Sequence, residues 1–548
     1  SYKFEIGQII TEQGDVREDY DGRSEFFLAP SKITISQKEK YVVNPTRAIR
    51  TVHPGFSLTE YVEVQREHDA SSEVTFVSDN ENIIQVNGTE LVPSGQYGST
   101  TVRAVNTAGK TVWTGIIDVY VDGRIAAPKV YAGKNFSVAL QVSGKVYAWG
   151  ENTQNQLGDG TDKSKASPVA VQFGGDSTML GIRDISASDT HVLMVTESME
   201  VMSWGGNEHG QLGSMNKENR SKAYYVYEDE YESILSDVIS VAAGDTHSLA
   251  LTKDGKIYAW GSNSYGQLGI TDATSGKPTG ASKSAVAVEL IYANDGSELP
   301  KFVSIAAGDY FSVALAEDGS VWSWGRNVNG QLGHGDFGTG YTYYAPVKVQ
   351  QGASASKTVV TGTETTESDG NTVTKNIYGN NIYLEEIVAI SAEGDSVMAI
   401  KSNGTVLSWG VDSHGQSGTG SLSDKHVPTR AKASDFDGVK DSNGIPMSTT
   451  SDTSYLANVT SIAMGKNQSA VIVGDGSYVL TAGDNTTGQT GLGTTEGNTT
   501  MFKAVKNVWG SDVKVVEIKS GANHTVARTD DNRLWAWGDN SKGQLGLG

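Results

Sequence analysis

The chain has 548 residues, with 43 Lys and Arg against 64 Asp and Glu for a net charge of −21. That charge excludes non-specific association with nucleic acid or with an anionic membrane surface. The absence of cysteine excludes disulfides and thiolate metal sites, and no apolar run reaches the roughly 18 residues of a membrane-spanning helix. With 64 glycines and no long helical periodicity, the class is all-β with many turns. A chain without cysteine suits a bacterial surface protein. It opens at Ser1 with neither a Met nor a signal-peptide pattern, as a mature form or an excised piece would.

In chain order, residues 1–25 form a first segment. Tyr2–Ile10 alternates well enough to be a strand, and Thr11–Arg23 is acidic and loop-like. Residues 26–123 read as a small β-sandwich, with strand-like runs at Ile33–Ile35, Tyr41–Val43, Val74–Val77, Ile83–Val86, Thr100–Ala104 and Ile116–Val121, punctuated by Gly88, Gly95 and Gly98. The order Ser78-Asp79-Asn80, Ile84-Gln85-Val86, Gly98, Thr100–Ala104 and a Val-rich last strand resembles the bacterial immunoglobulin-like group 2 domains. That resemblance implies a spacer in a surface protein.

Residues 124–548 are an array. A Gln-x-Gly element ends at Gly158, Gly213, Gly269, Gly333, Gly418, Gly491 and Gly546, with spacings of 55, 56, 64, 85, 73 and 55. A unit of this length holding four short strands is the signature of propeller blades. Trp-Gly recurs at Trp149, Trp204, Trp260, Trp324, Trp409 and Trp537, and Ala482-Gly483 replaces it in the sixth copy. Asn152, Asn207, Asn263, Asn327 and Asn540 follow three residues later, with Asp412 in the fifth copy. Hairpin turns sit at Ser143-Gly144, Asp254-Gly255, Asp318-Gly319, Asn403-Gly404 and Asp475-Gly476. A Trp at one place per blade is an apolar wedge between sheets.

The most regular copy, Ser240–Gly269 (SVAAGDTHSLALTKDGKIYAWGSNSYGQLG), resembles the repeat of the regulator of chromosome condensation family. The resemblance implies a seven-bladed propeller, and it covers the chain from about Pro128 onward. Copies 1 and 2 depart at Asn155 and at the Ser198-Met199 turn, and copies 5 and 6 carry Ser417 and Thr490 in place of Leu. Only Leu547 and Gly548 follow the last Gly546, so the seventh copy lacks the outer strand seen elsewhere as Ala345–Val349. The expectation is that residues 1–10 or 118–128 supply it, or else a neighbouring molecule, because an open sheet edge is a pairing template.

No motif carries recognisable chemistry. Gly333–Gly338 fits G-x-G-x-x-G but runs into a Gly-rich loop rather than opening a helix. His191, His247 and His524 share a slot with Phe136 and Phe311, which makes it a packing position. Asp189, Asp245 and Asp309 fall two residues before that slot, where other copies have Lys134, Gly394, Lys466 and Ala522. They form an acidic arc if the slot lies near the channel, either a solvated loop mouth or a contact for a cationic partner. Asp435–Gly444 hints at a calcium loop, but placing Gly444 sixth puts Val439 first and Thr450 twelfth, and the EF-hand pattern fails. No metal site and no cofactor is expected, and the chain is read as non-enzymatic.

The informative departures are insertions and tyrosines. Copy 4 adds residues 350–381, which include Tyr378, and copy 5 adds residues 435–456; a shorter addition, Ile291–Pro300, lies at the equivalent point of copy 3. All follow an outer strand, so they should emerge on one face. Tyr341, Tyr343 and Tyr344 in copy 4, and Tyr224, Tyr225 and Tyr227 in copy 2, are candidates for a recognition surface. The leading reading is an extracellular bacterial binding or scaffold protein that contacts a protein or glycan through one loop-rich face. The alternatives are a segment of a stalk or filament joined through blade seven or residues 1–25, and a nucleotide exchange factor like the family's namesake.

Overall fold

In the computed structural model, the described residues are 5–6, 33–34, 56–57, 74–82, 84–88, 90–93, 98–106, 111–119 and the chain from 129 to 548. From that last span 142–143, 175–181, 197, 230, 271–283, 352–356, 369–370, 382, 435–447, 450–451, 496, 507, 511–512 and 532 are excepted.

From Lys129 the described residues build seven antiparallel blades in sequence order, with two further two-stranded hairpins between them. Blade 1 is Lys129–Ala132, Phe136–Leu140, Val146–Gly150 and Lys165–Ala170; blade 2 is Ile182–Ala187, His191–Thr196, Val201–Gly205 and Arg220–Tyr225. Blade 3 is Val238–Ala243, His247–Thr252, Ile257–Gly261 and Ser284–Glu289; blade 4 is Phe302–Ala307, Phe311–Ala316, Val321–Gly325 and Tyr343–Lys348. Blade 5 is Ile387–Glu393, Ser396–Lys401, Val406–Gly410 and Lys425–Arg430; blade 6 is Val459–Met464, Gln468–Val473, Tyr478–Gly483 and Thr499–Ala504. Blade 7 has three strands among the described residues, Val515–Ser520, His524–Thr529 and Leu534–Gly538.

First strands of successive blades touch around the ring, so they line the central channel. Second and third strands are buried on both sides, as in His247–Thr252 and Val321–Gly325. They read as continuous apolar runs because neighbouring blades cover both of their faces. Fourth strands form the half-exposed rim. The link between the first and second strands and the link between the third and fourth share one face, joined by bonds such as Ser262 N to Thr246 O and Arg326 N to Tyr310 O. We call this the loop face. The tight turns between second and third strands lie on the opposite, turn face, where Gly255 O accepts from Phe302 N at the start of the next blade.

The repeated Trp and Gln-x-Gly elements close the interfaces between blades. The Trp side chain lies on the Gln-x-Gly element of the preceding blade and donates Nε1 to its Gln carbonyl: Trp204 to Gln156, Trp260 to Gln211, Trp324 to Gln267, Trp409 to Gln331 and Trp537 to Gln489, at 2.8–3.0 Å. Removing a tryptophan's roughly 200 Å² from water is worth on the order of 5 kcal/mol. Gly269 shows why the element ends in glycine: its φ is +68°, and a Cβ there would stand 2.6 Å from Trp324 Nε1. Where the sixth copy has Ala482, the fully buried ring of Phe502 from that blade's fourth strand packs on Gly418 instead. The recurrent Asn ties the loop: Asn207 Oδ1 accepts from Leu212 N at 2.9 Å while Nδ2 donates to Ser214 Oγ and the Asn216 carbonyl. In blade 5 Asp412 has no donor, and Lys425 Nζ supplies one at 3.1 Å. Asn155 and Met199, where copies 1 and 2 depart from the repeat, hold φ of 65° and 62°, the conformation glycine supplies elsewhere.

The ring closes between blades 7 and 1. Trp149 Nε1 donates to Gln544 O at 2.9 Å, His524 Nε2 meets Ser137 Oγ at 3.0 Å, and Val130, Ala132, Ala139, Trp149 and Val526 form the apolar cluster there. The described parts of the two candidate closing strands pair elsewhere: Glu5–Ile6 with Ile33–Thr34, and Asp118–Val119 with Gly98–Ser99. The remainder of both stretches lies outside the described residues.

Of residues 26–123, the structure describes one three-stranded sheet of Val74–Ser78, Gly98–Asn106 and Thr111–Val119. A second joins Phe56–Ser57, Glu90–Pro93 and Ile84–Asn87, and Asp79 reaches Lys514 of blade 7 at 3.4 Å. These strands are antiparallel, but they do not by themselves establish an immunoglobulin-like sandwich.

Candidate functional site at the channel mouth

The link between first and second strands is short because the glycine N–H bonds back to the slot residue, as Gly244 N does to His247 O at 2.9 Å. The residue after that glycine is thereby aimed at the channel axis. Seven such links meet there, and the sequence puts Lys134, Asp189, Asp245, Asp309 and Lys466 at five of them. The three aspartates do form an arc. Lys466 of blade 6 crosses the channel to bond Asp189 Oδ2 of blade 2 at 3.3 Å and Asp309 Oδ2 of blade 4 at 2.9 Å. Lys134 bonds the same Asp189 oxygen at 3.0 Å. Tyr310 donates its hydroxyl to Asp245 Oδ2 at 3.1 Å. Glu393 ends the first strand of blade 5, next to Gly394, whose carbonyl accepts from Asp309 N at 2.7 Å.

The electrostatics follow from crowding carboxylates in a partly dry channel. Burial pushes Asp309 up to about 6 against the pull of Lys466. Asp245 is raised by burial and by Asp189. Glu393 rises well above its ordinary value through burial and then Asp189, Asp309 and Asp245, with Lys466 opposing. Burial alone would lower Lys466, but Asp189, Asp309 and Glu393 outweigh it and hold its ammonium above the usual range.

Beside the mouth lies an aromatic sector. Tyr265 and Tyr310 rings meet at 5.4 Å, Arg326 lies 5.8 and 5.7 Å from their centres, and Arg326 bonds Asp395 at 3.0 Å. Asn329 and Gln331 donate to the same Asp395 carboxylate at 3.2 and 2.9 Å. Further out, Phe337 stacks on His426 at 3.5 Å. Tyr265, Phe337 and Tyr341 are 39%, 49% and 49% exposed, all on the loop face of blades 3 and 4.

The tyrosines singled out from the sequence do not form one surface. Tyr341, Tyr343 and Tyr344 are on the loop face. Tyr343 is half-buried, bonded to Asp336 and edge-on to His334 at 4.8 Å, while Tyr344 covers Gly266. Tyr224 and Tyr225 end the outer strand of blade 2, toward the turn face; Tyr224 lies under Arg220, and Tyr225 packs into the core between blades 1 and 2. The insertions also leave on the turn face, as hairpins Lys357–Ser368 with Asn371–Asn381 and Ser448–Thr449 with Asp452–Leu456. The side chain of Tyr378 and the Asp435–Gly444 loop lie outside what is described. Lys466, Glu393, Tyr265, Tyr310 and Arg326 do not stand out in the sequence, although Lys466 aligns with the aspartates.

The slot histidines are fully buried. His191 Nε2 meets Ser248 Oγ at 2.8 Å and His247 Nε2 meets Ser312 Oγ at 2.9 Å. Each serine spends its own proton on the Gln211 or Gln267 carbonyl, so the imidazole must donate. Burial holds His191 and His247 down to about 3 and His524 to about 4. They are neutral structural donors, sealed from any substrate. Among the described residues no three His, Asp or Glu are placed to hold a metal ion, and no helix is long and apolar enough to cross a membrane.

The RCC1-like domain family profile matches residues 75–441, and a regulator of chromosome condensation (RCC1) repeat profile matches residues 515–544. The Arabidopsis thaliana ultraviolet-B receptor UVR8 is 26% identical over 440 residues, 79% of this chain and 82% of that protein. The human E3 ubiquitin-protein ligase HERC2 is 28% identical over 313 residues, 57% of this chain but only 5% of the ligase. Yeast RCC1 (Prp20), solved bound to Kap60, superposes with a TM-score of 0.53 at 17% identity, over 76% of this chain and 82% of that one.

Proposed function

The chain belongs to the RCC1-like domain family, and from that premise we propose that it is a binding protein whose propeller presents its loop face to a polypeptide partner. The observation that carries this is the exposed aromatic sector of Tyr265, Phe337 and Tyr341 beside the charged mouth. Exposed aromatics on a rigid frame bring large contact area at small entropic cost, and such residues dominate binding energy in interfaces. The frame is stiff because six of the seven blade interfaces are bolted by Trp–carbonyl bonds. Propellers of this family occur in a light receptor, in a ligase and in a yeast protein that engages Kap60, which supports a common use as a binding platform. Likeness to yeast RCC1 at 17% identity carries the fold and not exchange activity. An extracellular setting, with a glycan as the alternative ligand, rests on the strand pattern of residues 26–123 and the cysteine-free composition.

The test is photo-crosslinking from single positions in the full chain, in extract of its native cells. A benzophenone amino acid at Tyr265 or Phe337 should give discrete adducts, while the same group at Ser297 on the turn face should not. Equal labelling from both faces, or none from the loop face, would refute the assignment.

A further inference from the structure

The third strand of blade 7 differs from those of the other blades. Val201–Gly205, Val321–Gly325 and Val406–Gly410 are buried throughout, whereas Leu534–Gly538 is exposed or half-buried at every residue. In the first six blades a fourth strand covers the third, and the residue just after it has a fixed place. That residue is Val171, Val226, Leu290, Val349, Ala431 or Val505, and its N–H donates to a carbonyl at the start of the third strand at 2.8–3.0 Å. Its side chain shares a core cluster with the next blade's tryptophan, as Val226 does with Trp260 and Val349 with Trp409. In blade 7 the corresponding carbonyl is that of Leu534, and no described backbone N–H reaches it. The corresponding apolar place is a cavity of about 80 Å³ beside Trp149, lined by Val130, Val526, Leu534, Leu545 and Leu547. Three residues earlier the covering strands carry Ala223, Ala287, Pro346, Pro428 and Phe502, all buried, while Pro168 of blade 1, next to blade 7, is exposed. Open edge, cavity and exposed neighbour coincide.

We propose that the edge of blade 7 takes up, as its fourth strand, an extended segment of a partner protein that reads Pro or Ala, any residue, Lys or Arg, then a branched aliphatic. An exposed row of strand N–H and C=O groups is a pairing template. Main-chain bonds to such an edge supply affinity, and pockets for particular side chains supply specificity. Here the aliphatic side chain enters the cavity beside Trp149 while its N–H meets Leu534 O, as its equivalents do in six blades. The cation follows from blade 4, where Trp322 lies edge-on to Phe302 at 6.4 Å and takes Lys348 of the fourth strand 5.3 Å from its ring centre. In blade 7 Trp535 lies edge-on to Trp509 at 6.1 Å. Its ring already accepts a cation at 5.8 Å, Arg533, which is paired with Asp531. A chain of charge −21 also favours a cationic segment. The described parts of residues 1–10 and 118–128 pair elsewhere, and the fourth strands of the first six blades are all engaged. The site lies on the rim between blades 7 and 1, apart from the loop face, and goes beyond the platform reading.

The experiment titrates the full chain into a dye-labelled peptide, TYYAPVKVQ, which copies the outer strand of blade 4 from Thr342 to Gln350, and follows fluorescence anisotropy. The peptide should bind at one site per chain. N-methylation at the residue that copies Val349 removes the N–H and should weaken binding at least about fivefold. Val349→Ala in the peptide should weaken it about tenfold, and norleucine in place of its Lys348 about threefold. These changes are in the peptide, so the fold of the protein is the same throughout. A benzophenone at the peptide's Val347 position should label Leu534–Gly538 or Lys165–Ala170. No binding, equal binding by the N-methyl or norleucine peptide, or labelling confined to other blades would overturn the proposal. Two other occupants have their own signatures, and either overturns it. Amide hydrogens of Leu534–Gly538 that exchange as slowly in the free protein as those of Val321–Gly325 would put the chain's own residues on the edge. A dimer in sedimentation that the peptide dissociates would put a second copy there.

Discussion

Replacing His247 by Phe gives a prediction whose sign reverses with pH. The ring fits, because Phe136 and Phe311 occupy the same slot in blades 1 and 4, against Gly133 and Gly308 as His247 lies against Gly244. The substitution removes the His247 Nε2 bond to Ser312 Oγ, at a cost of about 1 kcal/mol. It also removes a titration. Burial lowers His247 to about 3 in the fold, against about 6.5 in the unfolded chain. The unfolded chain therefore takes the proton first. Stability tied to this group is complete above about pH 6.5 and is lost at about 1.4 kcal/mol per pH unit as pH falls toward 3. At pH 4.5 the loss is about 2.7 kcal/mol, which the Phe variant does not suffer. H247F should thus be about 1 kcal/mol less stable than wild type at pH 7.5 and 1–2 kcal/mol more stable at about pH 4.5, with the curves crossing near pH 6. Paired denaturant unfolding curves at several pH values, followed by tryptophan fluorescence, measure the difference, and titrations common to both proteins cancel. A gap that stays constant with pH would refute the claim that His247 is buried and neutral.

Three further experiments probe the frame. H247F combined with S312V recreates the Phe and Val that share a core cluster at Phe136 with Val192 and at Phe311 with Val397, so the double variant should be at least about 0.5 kcal/mol more stable than the sum of the singles, read from a double-mutant cycle. G269A forces a Cβ to within 2.6 Å of Trp324 Nε1 at φ +68° and should cost more than about 2 kcal/mol. G296A, at φ +82° with open space around it, should cost only about 1 kcal/mol, and equal melting shifts for the two would remove the packing argument. K425M strips the ammonium from fully buried Asp412 and leaves its Oδ2 only the Thr419 hydroxyl, which should cost about 3 kcal/mol; D412N in the same chain should recover most of it, since Asn is the native residue at this place in other blades, and thermal melting of the wild type and the two variants decides.

Local chemistry was enough to fix the blade. Asp254-Gly255 set a hairpin, Trp260 a wedge and Gly269 a close approach, each through constraints that act within a few residues, and their recurrence counted the blades. Repetition also showed that the histidines pack. It could not show why the slot admits both His and Phe, because the reason stands on the next blade: His247 bonds Ser312, whereas Phe311 shares its apolar cluster with Val397. Nor could it join Lys466 to Asp189, which are 277 residues apart in sequence and meet only because seven links converge on one axis. The tyrosines were visible as residue types, yet which face each occupies depends on strand direction, and Tyr224 and Tyr341 fall on opposite faces of the ring. Sequence alone determined the repeating module and its number, since these rest on turns, spacing and burial within one unit. Ring closure decided the site, since it sums the charges of blades that sequence keeps apart.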